Sequence, residues 1–379
     1  MQKIVFYPVG NGDTSQIILE NGRRMLLDYR HLKKTENGDG PEINLKDQLK
    51  EELSTANRDY FDVVAFTHAD KDHIENSTEF FELEHAEKYK GDDRIKIREL
   101  WVPAAMILES ATNNGQERPE FTILRQEARY RLKEGKGIRV FSKPEKLKNW
   151  LESEGLTVES RRHLITDAGQ IVPGFTMAND GMELFCHSPF IKHTDEGDIM
   201  RNEASLIFQV RFNTGGRRYF NYMAIGDSKW DVLEEIVNIS KSHGNTDRLE
   251  WDLFNIPHHC SYLSLNEDKG DKITEPTPLV RELLLQGQTG AYMVSSSDPI
   301  SDTRSAYEQT QPPHIQARKC YEKYLREVIG RKLLVTMEEP NTAKPKPLEF
   351  EINKHGCKLV TQATTGVGIA TSITPPRAG

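Results

Sequence analysis

The sequence predicts an α/β protein with helices packed outside β-sheets, and two observations carry that expectation. Short apolar runs bounded by turn residues recur along the chain, among them Lys3-Ile4-Val5-Phe6-Tyr7, Phe61-Asp62-Val63-Val64-Ala65-Phe66 and the stretch 219–225. Helical stretches stand between them, the alternation expected of sheets covered by helices. The 379 residues, 36% hydrophobic and 28% charged, suffice for one large domain or two ordinary ones of soluble, globular type.

In order, the first thirty residues read as strands. Residues 3–7 are β-branched and aromatic, Gly10-Asn11-Gly12-Asp13 breaks the chain, and 15–19 resumes an apolar strand. Asn21-Gly22 then makes a hairpin turn and Met25-Leu26-Leu27 returns. A helix over 44–57 leads to 61–66, whose continuous apolar run is that of a strand buried on both faces. A helix over 76–90 and a strand over 97–102 follow. The span 104–175 reads as an insertion on the main fold, with helices over 122–136 and 144–154 and a strand over 138–141. Further strands are expected at 183–186, 205–212, 219–225, 253–256 and 291–295, and helices at 230–240, 279–285 and 314–329. Residues 1–340 form the main domain and 341–361 a strand extension. From 362 the composition turns to Thr, Ala, Gly and Pro, as in a flexible tail.

Composition narrows function. Fifty basic against 58 acidic side chains give a net charge of −8, which excludes a generically basic coat for long duplex nucleic acid. A single strand in a narrow channel or a nucleotide-sized substrate is easier to reconcile with that charge. No apolar run approaches the roughly 20 residues of a membrane-spanning helix, and the N-terminus does not read as a signal peptide. Four cysteines without a Cys-x-x-Cys spacing read as free thiols, so a cytoplasmic setting is expected. Nothing in the sequence names a protein partner.

The chemistry concentrates in Thr67-His68-Ala69-Asp70-Lys71-Asp72-His73, directly after the buried strand. Two imidazoles and two carboxylates in one short loop repel or stay unsatisfied unless a divalent ion gathers them. In an extended segment His68, Asp70 and Asp72 share one side and His73 turns to the other, so one loop can feed two neighbouring ions.

This H-x-D-x-D-H run resembles the H-x-H-x-D-H motif of the metallo-β-lactamase fold, and most of all its variant in the hydrolase domain of the ComEC/Rec2 competence proteins and their free-standing relatives. Further segments resemble that group in order. Val9-Gly10-Asn11-Gly12-Asp13 is similar to V-G-Q-G-D, and Leu26-Leu27-Asp28 to L-I-D, though Tyr29-Arg30 replaces the glycine that follows. Asn202-Glu203-Ala204-Ser205-Leu206 is similar to N-x-x-S-L, and Ala224-Ile225-Gly226-Asp227 to L-T-G-D. Ile256-Pro257-His258-His259-Cys260-Ser261 is similar to V-P-H-H-G-S with Cys260 for glycine, and Pro312-Pro313-His314 stands where G-H-P is often found.

The resemblance implies an αββα sandwich (α/β, or α+β in some schemes) holding two divalent ions, zinc first and manganese or iron as alternatives given Asp70 in place of a histidine. His68 and Asp70 would hold one ion, Asp72 and His73 the other, and Asp227 would bridge. His258 is the expected final ligand, with His259 facing substrate, and the reverse assignment stays open. The family's third-motif histidine falls near Asn202. His187 is the nearest substitute ligand, and its competing reading is a buried histidine bonded to backbone.

Two ions sharing a water make a hydrolase without a protein nucleophile. The function expected is phosphodiester or nuclease hydrolysis, with Asp72 at the reacting water, His259 or His314 as proton donor, and Lys71, Asn202, Lys229 and Arg201 near a nucleic acid or nucleotide-like substrate. Two alternatives stand beside it: hydrolysis of a small ester, lactone or amide, and a binding protein on a decayed scaffold, which Asn202 and Cys260 would favour.

Overall fold

The computed structural model describes residues 1–110, 112–113, 116–190, 204–216, 218–354 and 356–360. The expected tail from 362, Asn202 and Arg201 lie outside the described residues. The strands are β1 (Gln2–Phe6), β2 (Ser15–Ile18), β3 (Arg24–Leu27), β4 (Tyr60–Ala65), β5 (Lys96–Pro103), β6 (Thr112–Asn113), β7 (Gln116–Glu117), β8 (Ile138–Phe141) and β9 (Ile165–Thr166). They continue with β10 (Met182–Ser188), β11 (Ile207–Phe212), β12 (Phe220–Ile225), β13 (Trp251–Ile256), β14 (Gly287–Ser295), β15 (Lys332–Val335), β16 (Leu348–Asn353) and β17 (Gly356–Val360).

One sheet runs β17-β16-β1-β2-β3-β4-β5-β8-β9 and the other β10-β11-β12-β13-β14-β15. Apolar packing makes four layers of them. Ile4, Ile17, Met25, Val63 and Trp101 of the first sheet pack directly against Leu184, Phe208, Val210, Tyr222 and Val294 of the second. The outer face of the first sheet is covered by helices Leu45–Thr55, Ala104–Leu108, Pro119–Glu134 and Glu145–Ser153 through Leu49, Met106, Leu124 and Leu147. The outer face of the second is covered by Trp230–Ser242, Pro278–Leu284 and Ile315–Glu327 through Ile236, Leu283 and Tyr321. The molecule is therefore the expected αββα sandwich. Strands β4, β12 and β13 are buried almost throughout, which is why they carry continuous rather than alternating apolar runs.

Strand direction places the site. β3, β4, β5 and β8 are parallel neighbours in the first sheet, and β12, β13, β14 and β15 in the second. Parallel strands deliver the segments that follow them to one edge, so Asp28, the 67–73 loop, Asp227, the 258–259 pair and Ser296 all leave strand ends of this kind.

Two expectations change. The span 76–90 is not one helix: it holds a single turn, Ser77–Phe80, and a short 3-10 turn, Glu87–Tyr89. Phe80 and Phe81 are both buried against Tyr29, and Phe81 is extended, pairing with Ile95. Glu127 accepts from the backbone N–H groups of Glu84 and His85. These tertiary contacts outweigh the local helix preference. The span 104–175 is also more than an appendage, because β8 pairs with β5 and extends the first sheet. Residues after 340 return as β16 and β17, which pair antiparallel onto β1. Among the described residues no helix is long and apolar enough to cross a membrane.

Trp101 is fully buried between the sheets, with Phe141, Phe175 and Phe208 ring centroids at 5.4, 6.1 and 5.8 Å. Trp101→Ala is expected to destabilise the fold by about 3–5 kcal/mol, read as a lowered urea midpoint with an unchanged slope.

Candidate metal centre

The loop after β4 is held by one buried carboxylate. Asp28, just past β3 with φ +56°, accepts from the Thr67 backbone N–H at 2.7 Å and from the Thr67 hydroxyl at 2.6 Å. Its Oδ2 also lies 2.7 Å from His73 Nδ1. Across the sheets, the Leu206 N–H donates to the Thr67 carbonyl, and Gly226 lies so close that a Cβ there would sit 2.2 Å from Ser205 Oγ and 3.0 Å from Thr67 Cβ. Glycine is what lets Asp227 come up against the first loop.

His68, His73, Asp227 and His259 are at most 3% exposed. His73 Nε2 is 3.3 Å from Asp227 Oδ1, while Asp227 Oδ2 lies 3.9 Å from His68 Nε2, 3.5 Å from His259 Nε2 and 3.9 Å from His258 Nε2. His68 Nε2 is 3.7 Å from Asp70 Oδ2, and His259 Nε2 is 3.0 Å from Asp72 Oδ2. Donors bound at about 2.0–2.2 Å to a common ion stand about 3–4 Å apart, so these separations fit shared cations.

The donor atoms point the same way. His73 Nδ1 is engaged by Asp28, His259 Nδ1 by the Ser296 carbonyl at 2.9 Å, and His68 Nδ1 by the Thr67 hydroxyl at 3.2 Å. An acceptor on Nδ1 selects the tautomer that leaves the Nε2 lone pair for a cation. His68 Nε2, His73 Nε2 and Asp227 Oδ1 are buried without a hydrogen-bond partner. Groups of this kind are costly to bury unless an ion takes them up.

Electrostatics agrees. Burial opposes charge on His259, but Asp227 and Asp72 outweigh it and hold the imidazole up to about 9. At His73 burial is likewise overcome by Asp227 and Asp28, and its affinity for a proton rises well above the ordinary value. Burial would raise Asp227, yet the neighbouring imidazoles His259 and His73 hold it well below the usual carboxylate range. Asp13 is pushed up to about 6, chiefly by burial. The cluster thus draws positive charge to its centre.

The structure brings together His68, Asp70, Asp72, His73, Asp227, His258 and His259. Within the last pair, His259 contacts Asp72 and is fixed by Ser296, while His258 reaches only the Asp227 oxygen shared with His68. His259, and not His258, thus stands beside both Asp72 and Asp227, for a backbone reason. His258, His259 and Cys260 have φ of 51°, 50° and 65°, so the left-handed turn swings the second imidazole inward. That also accounts for glycine in the motif that Cys260 resembles.

His187 does not join the centre. Its Nε2 is 2.9 Å from the Arg248 carbonyl, which accepts from it, and its ring packs edge-on against Phe185. The backbone-bonded reading describes its surroundings. His314 stands at the start of Ile315–Glu327, buried, with its ring 4.9 Å edge-on from Tyr262, and burial lowers it to about 4. Lys71 is exposed and pairs with Glu75 at 3.1 Å; Lys229 precedes Trp230–Ser242. Sequence reasoning gave no role to Asp13 or Asp28. Both stand in segments noted for resemblance; for Asp28 the available signal was an acidic residue directly after the strand that pairs with β4, and for Asp13 the motif turn between β1 and β2.

No family model and no curated protein matches this chain. Among solved structures it is similar to CmlA, a diiron beta-hydroxylase from Streptomyces venezuelae, with 12% identity, 88% of this chain and 52% of that one covered, and a TM-score of 0.39. It is similar to a long form RNase Z from yeast, with 10% identity, coverage of 88% and 40%, and a TM-score of 0.42. It is also similar to a diphosphatase from the PhnP family, with 10% identity, coverage of 93% and 99%, and a TM-score of 0.33. The chain spans about half the length of the first of these. Likeness at this level leaves the centre to be read from its own geometry.

Burial lowers His187 to about 4 in the folded chain, against about 6.5 unfolded. The unfolded state therefore binds this proton first as pH falls. The contribution is intact above about pH 6.5 and is lost towards pH 4, up to about 3 kcal/mol. Chemical denaturation across that range is expected to show a shallower loss in His187→Gln than in the natural protein.

Proposed function

We propose that this chain is a metal-dependent hydrolase that cleaves phosphodiester bonds, with nuclease action included. The observation that carries the reading is the buried Asp227 carboxylate set between His68 Nε2, 3.9 Å from its Oδ2, and His73 Nε2, 3.3 Å from its Oδ1, with both imidazole nitrogens and Oδ1 lacking a hydrogen-bond partner. His68, Asp70 and Asp227 would hold one divalent ion, with His258 on the same side; Asp72, His73, Asp227 and His259 would hold the second. When bound, such a pair lowers the pKa of a shared water and neutralises charge on the ester oxygens.

The protein's own groups do the rest. Asp28 and Ser296 fix which imidazole nitrogens face the centre. Asp72, one-third exposed, stands where the centre meets solvent and orients the reacting water. His259 has both nitrogens engaged, so proton donation to the leaving oxygen does not fall to it. His314, lowered to about 4, is neutral near pH 7 and offers a hydrogen bond rather than a proton. Lys71 lies within the 70–72 loop and Lys229 two residues after Asp227, and both suit the anionic ester; Asn202 is proposed as a substrate contact from the motif resemblance alone.

The phosphodiester assignment rests on the motif resemblance and on a donor set in which carboxylates match imidazoles in number at each ion, suited to harder divalent ions that bind phosphate oxygens. A cytoplasmic setting accords with four free cysteines, three of them buried. The decayed-scaffold alternative is disfavoured by the ordered donors at both proposed ion positions.

Asp227→Asn is expected to lower turnover of bis-p-nitrophenyl phosphate and short single-stranded DNA by at least about 10³-fold at unchanged circular dichroism. Asp28→Asn, acting through His73, should lose about 10–100-fold in metal affinity or activity. An Asp227→Asn protein as active as the natural one would refute the reading. Turnover of lactones but not phosphodiesters, with zinc or manganese supplied, would move the assignment to the small-ester class.

A further inference from the structure

The turn after β1 places a carboxylate at this centre that the proposed ligand set does not use. The Tyr7 N–H donates to the Thr14 carbonyl, and Thr14 Oγ1 accepts from the Arg30 N–H at 3.0 Å. Asn11 anchors the tip across to the second sheet, donating to the Pro312 carbonyl at 2.9 Å and accepting from the Asp298 N–H at 2.8 Å. Gly12 has no room for a side chain, since its Cβ would lie 2.1 Å from Arg30 Cδ and 2.8 Å from the Asp72 carbonyl oxygen. A turn pinned on both sides and pressed against the Asp72 backbone gives the next residue, Asp13, little freedom of position.

Asp13 is 8% exposed. Ligand atoms of Asp13, His73, Asp227 and His259 all lie within 4.8 Å of one another, and Asp13 Oδ2 is 4.0 Å from His73 Nε2. The nearby Arg30 is turned elsewhere, to the Val9 carbonyl and Glu75. Among the described residues no lysine or arginine pairs with the Asp13 carboxylate, and the buried nitrogen it faces, His73 Nε2, has no hydrogen-bond partner. A carboxylate buried this way calls for a cation.

We propose that Asp13 is an additional ligand of the ion held by His73, giving that position three carboxylates and two imidazoles and a preference for manganese(II) or iron(II) over zinc. The inference rests on the metallohydrolase reading and deepens it. At metal–ligand bonds of about 2.0–2.2 Å, separations of 3.3 Å and 4.0 Å are both within the reach of ligands sharing one ion. With Asp13 added, Asp13, Asp72, His73, Asp227 and His259 would exceed the four ligands of a tetrahedral site. Zinc's preference for four ligands does not use such a set, whereas oxygen-rich, higher-coordinate sites suit manganese(II), and mixed imidazole–carboxylate sites iron(II).

The test is calorimetric titration of chelator-stripped full-length protein with manganese(II) and with zinc(II), on the natural sequence, Asp13→Asn and Asp227→Asn. The natural protein should take up two ions. Asp13→Asn should lose about 10–100-fold in manganese affinity at one of them, with a smaller loss for zinc. Unchanged titrations for Asp13→Asn, with Asp227→Asn impaired, overturn the Asp13 role and leave the metallohydrolase reading standing. No uptake by the natural protein overturns both. Should Asp13→Asn fail to fold, a manganese-soaked crystal of the natural protein decides. An anomalous peak within about 2.5 Å of an Asp13 oxygen supports the assignment, and one beyond about 3.5 Å refutes it.

Discussion

The site depends on the carboxylate of Asp28. Three separate pieces of chain meet there: the end of β3, which carries it, the Thr67 hinge after β4, and His73 at the far side of the metal loop. By accepting from both the backbone and the hydroxyl of Thr67, Asp28 fixes how the loop leaves its strand. By accepting from His73 it fixes which imidazole nitrogen faces the centre. Thr67 carries the constraint onward, since its carbonyl receives the Leu206 N–H at the start of the second sheet's β11. One buried residue therefore couples the sandwich interface to the orientation of a ligand.

A second constraint comes from charge. Asp13, Asp28, Asp70, Asp72 and Asp227 crowd around four imidazoles, and the raised proton affinities of His73 and His259 express the demand for compensation. The backbone also bears strain here, in the three consecutive left-handed residues 258–260. Strain and uncompensated carboxylates both work against folding, and they persist because strand ends fixed by a large common core hold them in place. Their concentration at one edge of an otherwise well-packed molecule is what marks that edge as functional.

The segment between β5 and β10 supports the centre from outside. Arg118 donates to the Ala69 carbonyl, between His68 and Asp70, and its guanidinium packs over Phe121 at 4.0 Å. Glu120 accepts from the backbone N–H groups of Asn76 at 2.9 Å and Thr78 at 3.2 Å, bracing the chain as it leaves the loop. Burial raises the Glu120 carboxyl against those bonds, which places this brace in a poorly solvated position. What reads in sequence as an elaboration is thus part of the wall that keeps the metal loop in shape.

Much of this was legible without coordinates. The continuous apolar run at 61–66 announced a buried strand, and H-x-D-x-D-H at its end marked the loop where ligand-type side chains gather, because charge repulsion in a short loop is a local property. Helix 76–90 was misread because Phe80 and Phe81 are claimed by Tyr29 and by pairing with Ile95, contacts that no local pattern records. Which of His258 and His259 stands beside Asp72 follows from left-handed backbone torsions, and the place of His187 from the Arg248 carbonyl 61 residues away. Sequence by itself determined the layers and the types of side chain at the strand ends, since periodicity and residue type are carried by neighbours along the chain. Which side chains share the centre, Asp13 and Asp28 included, was decided only where two sheets meet, because distances between strand ends are fixed by packing and not by spacing.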